Sequence, residues 1–489
     1  MSPVVVLIVI ASYFLVLYLI SLRTRGRADN ATFFTANRQS PWYVVAFGMI
    51  GASLSGVTFI SIPGVVGAGG ANEAFSYMQM VFGYVVGYAF ISIVLLPIYY
   101  RLNVTTIYEF LNERLGWTSY KMGAAYFLIS RSIGAAFRLY LVALVLDIFI
   151  FAPLGVPFWA TVGATIILIW IYTFQGGIKT IVWTDTLQTT FMILAVILTL
   201  VSISQFLTGT TLGFIDLIAQ SDYDRIFFFE GGWEDPNNFF KQFIAGALIT
   251  VVMTGLDQDM MQKNLTCRNI REAQLNMTTF SLILVVVNLI FLSLGAMLYI
   301  FANAKGLAIP ERTDQLYPMI ALEQLSPFIS IVFVIGLIAA AYSTADSALT
   351  SLTTSFCVDF LGLHTLRSQE AGNEKRTRWM VHLGFSIVLF LIIVVFHWVN
   401  SDAVINGLFK AAGYTYGPIL GLFTFALIFG YKQMDGRGVA ITCILAPILT
   451  FWLDANDLFC GFELGFLNLL LNGILSFAGL LLSLKWSRS

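Results

Sequence analysis

The run A-A-A-Y-S-T-A-D-S-A-L-T-S, residues 339–351, lies within an otherwise apolar segment that extends from 338 to 360. At 3.6 residues per turn, one face of a helix through this run carries hard oxygen ligands and no cation: Ser343, Asp346, Ser347 and Thr350. An acidic residue inside a membrane-spanning helix costs roughly 2.5 to 3.5 kcal/mol on insertion scales. The face therefore predicts an ion or proton path, or else an aspartate paired with an intramembrane arginine.

The composition of the whole chain is that of a membrane protein. Of its 489 residues, 58% are hydrophobic and 11% are charged, and the mean hydropathy is +0.84. These values exclude a soluble domain of ordinary composition. Because about 20 apolar residues span a bilayer, we predict an all-α polytopic membrane protein with about thirteen transmembrane helices, near 3–22, 41–66, 79–99, 122–151, 157–174, 184–207, 239–256, 275–302, 328–360, 380–399, 404–429, 437–453 and 462–484.

The distribution of cations predicts the topology. Most of the 26 lysines and arginines, Lys263 among them, fall in connectors on one side, and Arg131, Arg138 and Lys410 fall inside predicted spans. The positive-inside rule therefore predicts an outside N-terminus and a cytoplasmic C-terminus in the cell inner (plasma) membrane. The first segment has no basic n-region or small-residue cleavage site, so we expect it to remain as a helix in the bilayer.

Other classes of protein find little support in the sequence. The four cysteines and three histidines are scattered without metal-ligand spacing, and no basic cluster indicates a nucleic-acid partner. An intramembrane enzyme would need a nucleophile or metal motif, and neither H-E-x-x-H nor G-x-S-x-G occurs. A channel would need rings of like residues along a pore. The long outer connector near 208–238 is predicted to be a capping lid or a solvated acidic loop. We expect the protein to be a monomer with the lipid bilayer and a small-molecule substrate as its partners.

The second window is the best candidate to face the polar helix. It reads G-M-I-G-A-S-L-S-G-V-T-F-I-S-I-P-G, residues 48–64, in which glycine and proline weaken the helix while serine and threonine supply oxygen. Broken helices of this kind line ion and substrate sites at mid-membrane. Close helix packing through small residues is the alternative.

These segments together resemble the sodium/solute symporter family. The resemblance is carried by the second window, Q-G-G-I-K-T-I-V-W-T-D-T-L-Q (175–188), D-Q-D-M-M-Q-K-N-L-T-C-R-N-I-R-E-A-Q (257–274) and A-A-A-Y-S-T-A-D-S (339–347), and it covers about residues 5–484. It implies one domain over 1–489 with the leucine-transporter-type fold. The two inverted five-helix repeats would be 41–207 and 239–429, with 3–22 and 437–484 as peripheral helices.

The resemblance also implies sodium ligands. The common Na+ site would use the backbone carbonyls and hydroxyls of Gly51, Leu54, Ala340, Ser343 and Thr344. Neutral oxygens of this kind suit a monovalent hard cation, whereas Ca2+ gathers several carboxylates.

A second Na+ site, which some members of the family have, would here use Ser343 with Asp185, Asp346 and Ser347. Asp346 stands where the two-sodium members carry a serine. The extra carboxylate strengthens that site, turns it into a proton site, or pairs with Arg131.

The buried arginines point to the substrate. Arg138 follows Arg131 by one heptad, and a buried guanidinium favours a carboxylate partner; it is available for an anionic substrate unless both arginines are structurally paired. The substrate pocket of sialic acid-transporting members is similar at Ser53, Ser55, Thr58, Phe75, Gln79 and Arg138. Lys410 lies near the position where sugar-transporting relatives of the family place a substrate-contacting amide. We therefore predict a sodium-coupled secondary active symporter, not an enzyme, that imports a small organic solute such as sialic acid by alternating access. A monocarboxylate, a pantothenate-type vitamin, an inorganic anion, a neutral sugar or an amino acid are the alternative substrates.

Overall fold

A computed structural model of the chain describes residues 3–24, 30–174, 177–363, 371–399, 404–430, 434–456 and 467–486. Across these ranges the backbone is almost entirely helical and contains no β-strand. In chain order the helices are α1 (Pro3–Thr24), α2 (Asn30–Thr35), α3 (Trp42–Ser53), α4 (Gly56–Val65), α5 (Tyr77–Phe90), α6 (Leu96–Leu102), α7 (Glu109–Leu115), α8 (Trp117–Leu146), α9 (Phe158–Thr173), α10 (Ile178–Thr208), α11 (Phe214–Ala219), α12 (Phe239–Thr250), α13 (Gln258–Asn264), α14 (Ile270–Lys305), α15 (Leu316–Met319), α16 (Pro327–Ser355), α17 (Ala371–Val399), α18 (Val404–Phe429), α19 (Gly436–Ala455) and α20 (Asn468–Trp486).

Eleven of the thirteen predicted spans are confirmed. In the described ranges, nine helices are long and apolar enough to cross a membrane, two more spans are bent pairs, and two shorter apolar helices, Phe158–Thr173 and Asn468–Leu484, match the remaining windows. Helices α5 and α6 form one of these spans through a π-helical turn, Ile91–Leu95. The all-α polytopic class therefore follows from hydropathy alone.

Two of the spans in the described residues are bent at a break, and only one of these breaks was expected. Helices α3 and α4 meet at 56°, as the second window predicts, and α12 and α13 meet at 69° after a π-helical turn, Val251–Gly255. The predicted window 239–256 is therefore too short, because the chain continues beyond the break as α13. Lys263, which the cation distribution placed in a cytoplasmic connector, lies on α13 with a side chain that is 1% exposed. That placement is wrong because a polar helix covered by protein resembles a connector in sequence.

Helix α16 lies at the centre of the molecule. Every residue from 336 to 355 is buried, so all faces of this stretch contact protein. The polar run 339–351 therefore has no contact with lipid. Its hydroxyl and carboxylate groups thus avoid the free-energy cost of exposure to the bilayer core. Its alanines and serines allow neighbouring helices to approach closely.

Helices α5 and α12 pack backbone against backbone. A Cβ atom added at Gly83 would lie 2.1 Å from the carbonyl oxygen of Phe243, and one added at Gly246 would lie 2.2 Å from that of Met80. Gly87, one turn after Gly83, approaches the carbonyl of Ala247 in the same way. Glycines at a small-xxx-small spacing thus allow the backbones of these two helices to come into contact.

Candidate functional site

The break between α3 and α4 opens the backbone in the middle of the span. Leu54 has φ −83° and ψ 73°, and Ser55 is extended at φ −69° and ψ 177°, so neither continues the helix. The last carbonyls of α3 therefore have no partner in the following turn. Gly56 restarts the helix against α8, where an added Cβ would lie 2.3 Å from Cγ2 of Val142. The serines, the glycine and this tight contact account for the break.

The residues predicted for the common sodium site lie on two adjoining helices. The Gly51 amide donates to the Thr189 hydroxyl at 3.0 Å, and a Cβ at Gly51 would lie 3.4 Å from Oγ of Ser343. The Thr344 hydroxyl donates to the Ala340 carbonyl at 3.1 Å. All five predicted residues, including Leu54 at the break, are buried. The structure therefore brings the end of α3 against the polar face of α16, as the prediction requires.

Asp185 is the centre of a second polar cluster. Its Oδ1 accepts the Ser343 hydroxyl at 2.7 Å, and its Oδ2 accepts the Lys263 ammonium at 2.6 Å and the Ser347 hydroxyl at 3.5 Å. Asp185 is fully buried and Lys263 nearly so, which makes this a desolvated ion pair. The predicted Asp185 and Ser347 are brought together, and Lys263 is a participant that the sequence reasoning missed.

Asp346 is hydrogen-bonded to Tyr172 and is not paired with Arg131. Its Oδ2 accepts the Tyr172 hydroxyl at 2.8 Å, and its Oδ1 has no hydrogen-bond partner within the described residues. Arg131 instead forms an ion pair with Asp259, which lies on α13 just beyond the second break. The hypothesis that Asp346 pairs with Arg131 is therefore wrong, because the fold places an acidic residue of α13 beside that guanidinium.

A polar cavity lies between the two broken spans. It is lined by Ser53, Ser55 and Thr58 of the first break and by Arg131 and Arg138 of α8. The remaining polar lining was not foreseen and comes from the tyrosines of α5, the threonines around the second break and an asparagine of α14: Tyr77, Tyr84, Tyr88, Thr250, Thr254 and Asn288. The T-G-L-D-Q-D sequence at 254–259, with acidic residues directly after an apolar run, is the signal that could have indicated the second break.

Arg138 is the unpaired cation of this cavity. Arg131 is neutralised by Asp259, and the neighbouring Asp257 accepts the Tyr416 hydroxyl. Within the described part of the chain, Arg138 forms no ion pair, and its buried Nε has no hydrogen-bond partner. The heptad spacing correctly placed both arginines on one face, and of the two only Arg138 has no acidic partner among the described residues.

Three predicted substrate residues lie outside the cavity lining. The Phe75 amide donates to the Arg225 carbonyl at 3.0 Å. The Gln79 amide group is fully engaged, since it donates to the Asn237 carbonyl at 2.8 Å and accepts from the Phe228 amide at 3.0 Å. These two residues therefore fasten the long connector near 208–238 to the N-terminal end of α5, so the connector is anchored and is not a freely solvated loop.

Lys410 is the third of these residues. Its side chain is 64% exposed, and its ammonium lies 3.8 Å from Asp454. An exposed ion pair of this kind contributes little. The structure does not bring Lys410 to the cavity.

Comparison with known proteins agrees with this architecture. The sequence profile of the Sodium:solute symporter family matches residues 33–445. The Sodium/sialic acid symporter NanT of Aliivibrio fischeri is 25% identical over 89% of this chain and 84% of its own length. The Sodium-coupled monocarboxylate transporter 1 of Xenopus laevis is 26% identical over 88% of this chain and 68% of its own, and the human Sodium/iodide cotransporter is 23% identical over 89% and 66%.

Two solved structures share the fold. The substrate-bound, outward-open structure of a Na+-coupled sialic acid symporter superposes with a TM-score of 0.82 at 19% identity and covers 98% of both chains. Mhp1, a nucleobase-cation-symport-1 family transporter in a closed conformation, gives a TM-score of 0.58 at 14% identity, with 94% of this chain and 96% of Mhp1 covered. The fold is thus that of a transporter, and because the family profile spans most of its length, the chain belongs to the Sodium:solute symporter family.

Proposed function

We propose that this symporter imports a small organic anion of the sialic acid class together with Na+. The observation that carries the proposal is Arg138, a cation without an acidic partner in the described residues, which faces a cavity at two broken helices. A guanidinium offers parallel N–H donors that match a carboxylate. Arg131, only seven residues away, is already neutralised and is not available for the same task.

The hydroxyl groups of the cavity favour a polyhydroxylated anion. Serine, threonine and tyrosine side chains from α3, α4, α5 and the second break line the same cavity as Arg138, and Asn288 adds an amide. A short monocarboxylate would leave most of these groups unpaired, and iodide would use none of them as a directional partner. A sugar acid uses both the cation and the hydroxyls, which supports sialic acid over these alternatives.

Coupling to sodium is proposed to occur where α3 meets α16. Gly51, Leu54, Ala340, Ser343 and Thr344 supply neutral oxygens at this contact, a donor set that suits Na+. Sodium bound there would stabilise the conformation in which α3 lies against α16, and the substrate would bind that conformation better than the alternative one. The gradient of Na+ thereby becomes the driving force for the solute.

The organisation of the chain is part of the proposal. Residues 41–207 and 239–429 would form the two inverted repeats, and both would begin with a broken span, which supports the assignment. Residues 3–22 and 437–484 would be peripheral. We propose that the monomer functions in the cell inner (plasma) membrane, with its N-terminus outside and its C-terminus in the cytoplasm, and that it catalyses no chemical reaction.

The test is concentrative uptake by purified protein in liposomes. An inward Na+ gradient should accumulate labelled sialic acid above its external concentration, and replacement of Na+ by choline should abolish accumulation. A short monocarboxylate or iodide at equal concentration should compete weakly. Uptake that only equilibrates, or that is indifferent to Na+, would refute coupled transport; stronger competition by either rival would refute the substrate class.

A further inference from the structure

The connector between α11 and α12 forms an exposed aromatic patch with the starts of α5 and α12. The rings of the patch contact one another, and they belong to Phe82, Phe227, Phe229, Phe239 and Phe240. Phe227, Phe229 and Phe240 are 48%, 57% and 53% exposed. Contiguous exposed apolar surface of this kind marks a contact with a partner or a membrane.

The backbone of the connector is fastened where these rings emerge. The Phe228 amide donates to Oε1 of Gln79 at 3.0 Å, and the Phe228 carbonyl accepts the amide of Phe239, the first residue of α12, at 2.8 Å. The Phe228 side chain is buried, whereas the flanking rings of Phe227 and Phe229 are exposed and stack on each other at 6.0 Å and 7°. The exposure of the two rings is therefore built into the fold.

The patch continues onto the apolar outer surface of α5. The Phe227 ring stacks on that of Phe82, with the centroids 6.1 Å apart and an interplanar angle of 20°. Phe82 lies five residues after Tyr77, where α5 begins, which at 1.5 Å per residue is about 7.5 Å along the helix. Val86 and Phe90 follow at intervals of four residues, and both are exposed. The connector thus extends the surface that a membrane-spanning helix presents to lipid.

The same surface is shared with α12. The rings of Phe239 and Phe240 lie 5.0 and 6.1 Å from that of Phe229. Ile244 follows Phe240 by one turn and is 39% exposed. Both helices are part of membrane spans, so the connector rings lie between two surfaces that face the bilayer.

The charges of the connector exclude attraction to anionic headgroups as the reason for the patch. Residues 222–235 contain five acidic side chains and one basic side chain, Arg225. The Arg225 guanidinium lies 4.3 Å from the centre of the Phe228 ring and 3.4 Å from the carboxylate of Glu230. The Glu230 side chain, next to Phe229, is 90% exposed. Apolar contact is therefore the interaction that this surface offers.

From these contacts we propose that the aromatic patch inserts into the adjoining lipid leaflet and anchors the connector to the bilayer. The partner is lipid because the patch is continuous with the lipid-facing surfaces of α5 and α12. Apolar side chains of peripheral segments reach about 5 to 10 Å into the boundary between headgroups and acyl chains, a depth that matches the position of Phe82. The proposal is independent of the substrate and of sodium coupling.

Spin labels on the protein in liposomes test the anchor. We choose Phe229→Cys within the patch and Glu230→Cys, its exposed neighbour, as the matched control, both in a chain without its native cysteines. Electron paramagnetic resonance measures collisions of each label with oxygen, which dissolves in the bilayer, and with a polar nickel chelate, which stays in water. Collisions with the chelate should be about fivefold less frequent at Phe229→Cys than at Glu230→Cys, while oxygen collisions remain frequent at Phe229→Cys.

Two further measurements make the result specific. Phe240→Cys on α12 should give the same readings as Phe229→Cys, and it replaces that variant if the melting temperature shows that Phe229→Cys is unfolded. A larger fraction of phosphatidylglycerol in phosphatidylethanolamine liposomes should leave the chelate collisions unchanged. Chelate collisions that fall as this anionic lipid increases would assign the contact to headgroup charge and overturn apolar insertion.

The remaining outcomes separate lipid from the other occupants of the patch. Equal chelate collisions at Phe229→Cys and Glu230→Cys would show that the patch faces water. Rare collisions with both oxygen and the chelate at Phe229→Cys would show that protein covers it, and dipolar broadening between labels would identify that protein as a second copy of this chain. Each of these results overturns the anchor and leaves sodium-driven uptake, the test of the proposed function, unaffected.

Discussion

Replacement of Arg138 is the most direct perturbation of the proposed substrate site. Its guanidinium lines the cavity without an acidic partner in the described residues, so a bound carboxylate would be its counter-ion. Truncating one member of a buried charge pair costs about 2 to 5 kcal/mol. At 1.4 kcal/mol per tenfold in affinity, a loss of about 3 kcal/mol in Arg138→Ala weakens binding roughly 150-fold. Arg138→Lys keeps the charge but loses the paired N–H donors, and we expect a loss on the order of tenfold.

Isothermal titration of detergent-purified protein at saturating Na+ measures these affinities, and a thermal shift with Na+ alone verifies that each variant still folds and binds the ion. Arg138→Met is a control for the alanine variant, because it removes the charge but keeps an apolar side chain in the space that the arginine stem occupies. Lys410→Ala removes the exposed cation beside Asp454 and should leave the affinity unchanged. Substrate affinity of Arg138→Met within threefold of wild type would refute the assignment of Arg138 to the substrate.

Three other perturbations test the remaining contacts. Thr344→Ala removes a proposed neutral ligand worth about 1 kcal/mol, so the Na+ concentration for half-maximal uptake should rise roughly fivefold, and an unchanged Na+ activation curve would argue against the site. Gly51→Ala places a methyl group 2.3 Å from the Thr189 hydroxyl and should lower the melting temperature, and Thr189→Ala in the same chain should recover part of the loss. Gln79→Leu removes the hydrogen bonds to Asn237 and Phe228, so amide hydrogen exchange should accelerate in residues 225–238 and remain unchanged in α16. Exchange in residues 225–238 at the wild-type rate would show that other contacts hold the connector.

Hydropathy predicted the spans because membrane insertion depends on the summed transfer free energy of about 20 residues, which sequence determines directly. The break at Leu54 was predictable for a related reason, since glycine, serine and proline weaken a helix locally. The break after Gly255 was missed because α13, the second half of that span, is polar. Only the covering helices reveal that such a segment is buried, and Lys263 was misplaced for the same reason.

Pairings between distant side chains were the part that sequence could not provide. Arg131 and Arg138 are related by a heptad, which fixes their common face, but the choice of Asp259 over Asp346 as the partner of Arg131 depends on where the fold places α13. The depth and rotation of α18 likewise decide whether Lys410 reaches the cavity or the surface. Gln79 has the chemistry of a substrate contact, yet the connector saturates its amide group. Residue type indicates the chemistry of a side chain, and the packing of helices selects its partner.

The close contact between α5 and α12 restricts which parts of the carrier can move. Helix α5 holds the connector near 208–238 through Gln79, and the connector leads directly into α12, whose N-terminus is capped by Asn238. The glycines bring the backbones of α12 and α5 into contact. Connector, α5 and α12 therefore form a closed mechanical loop that resists bending between its members. Since α5 and α12 also supply tyrosine and threonine walls to the cavity, we expect these two helices and the connector to move together as one rigid unit when the cavity opens or closes.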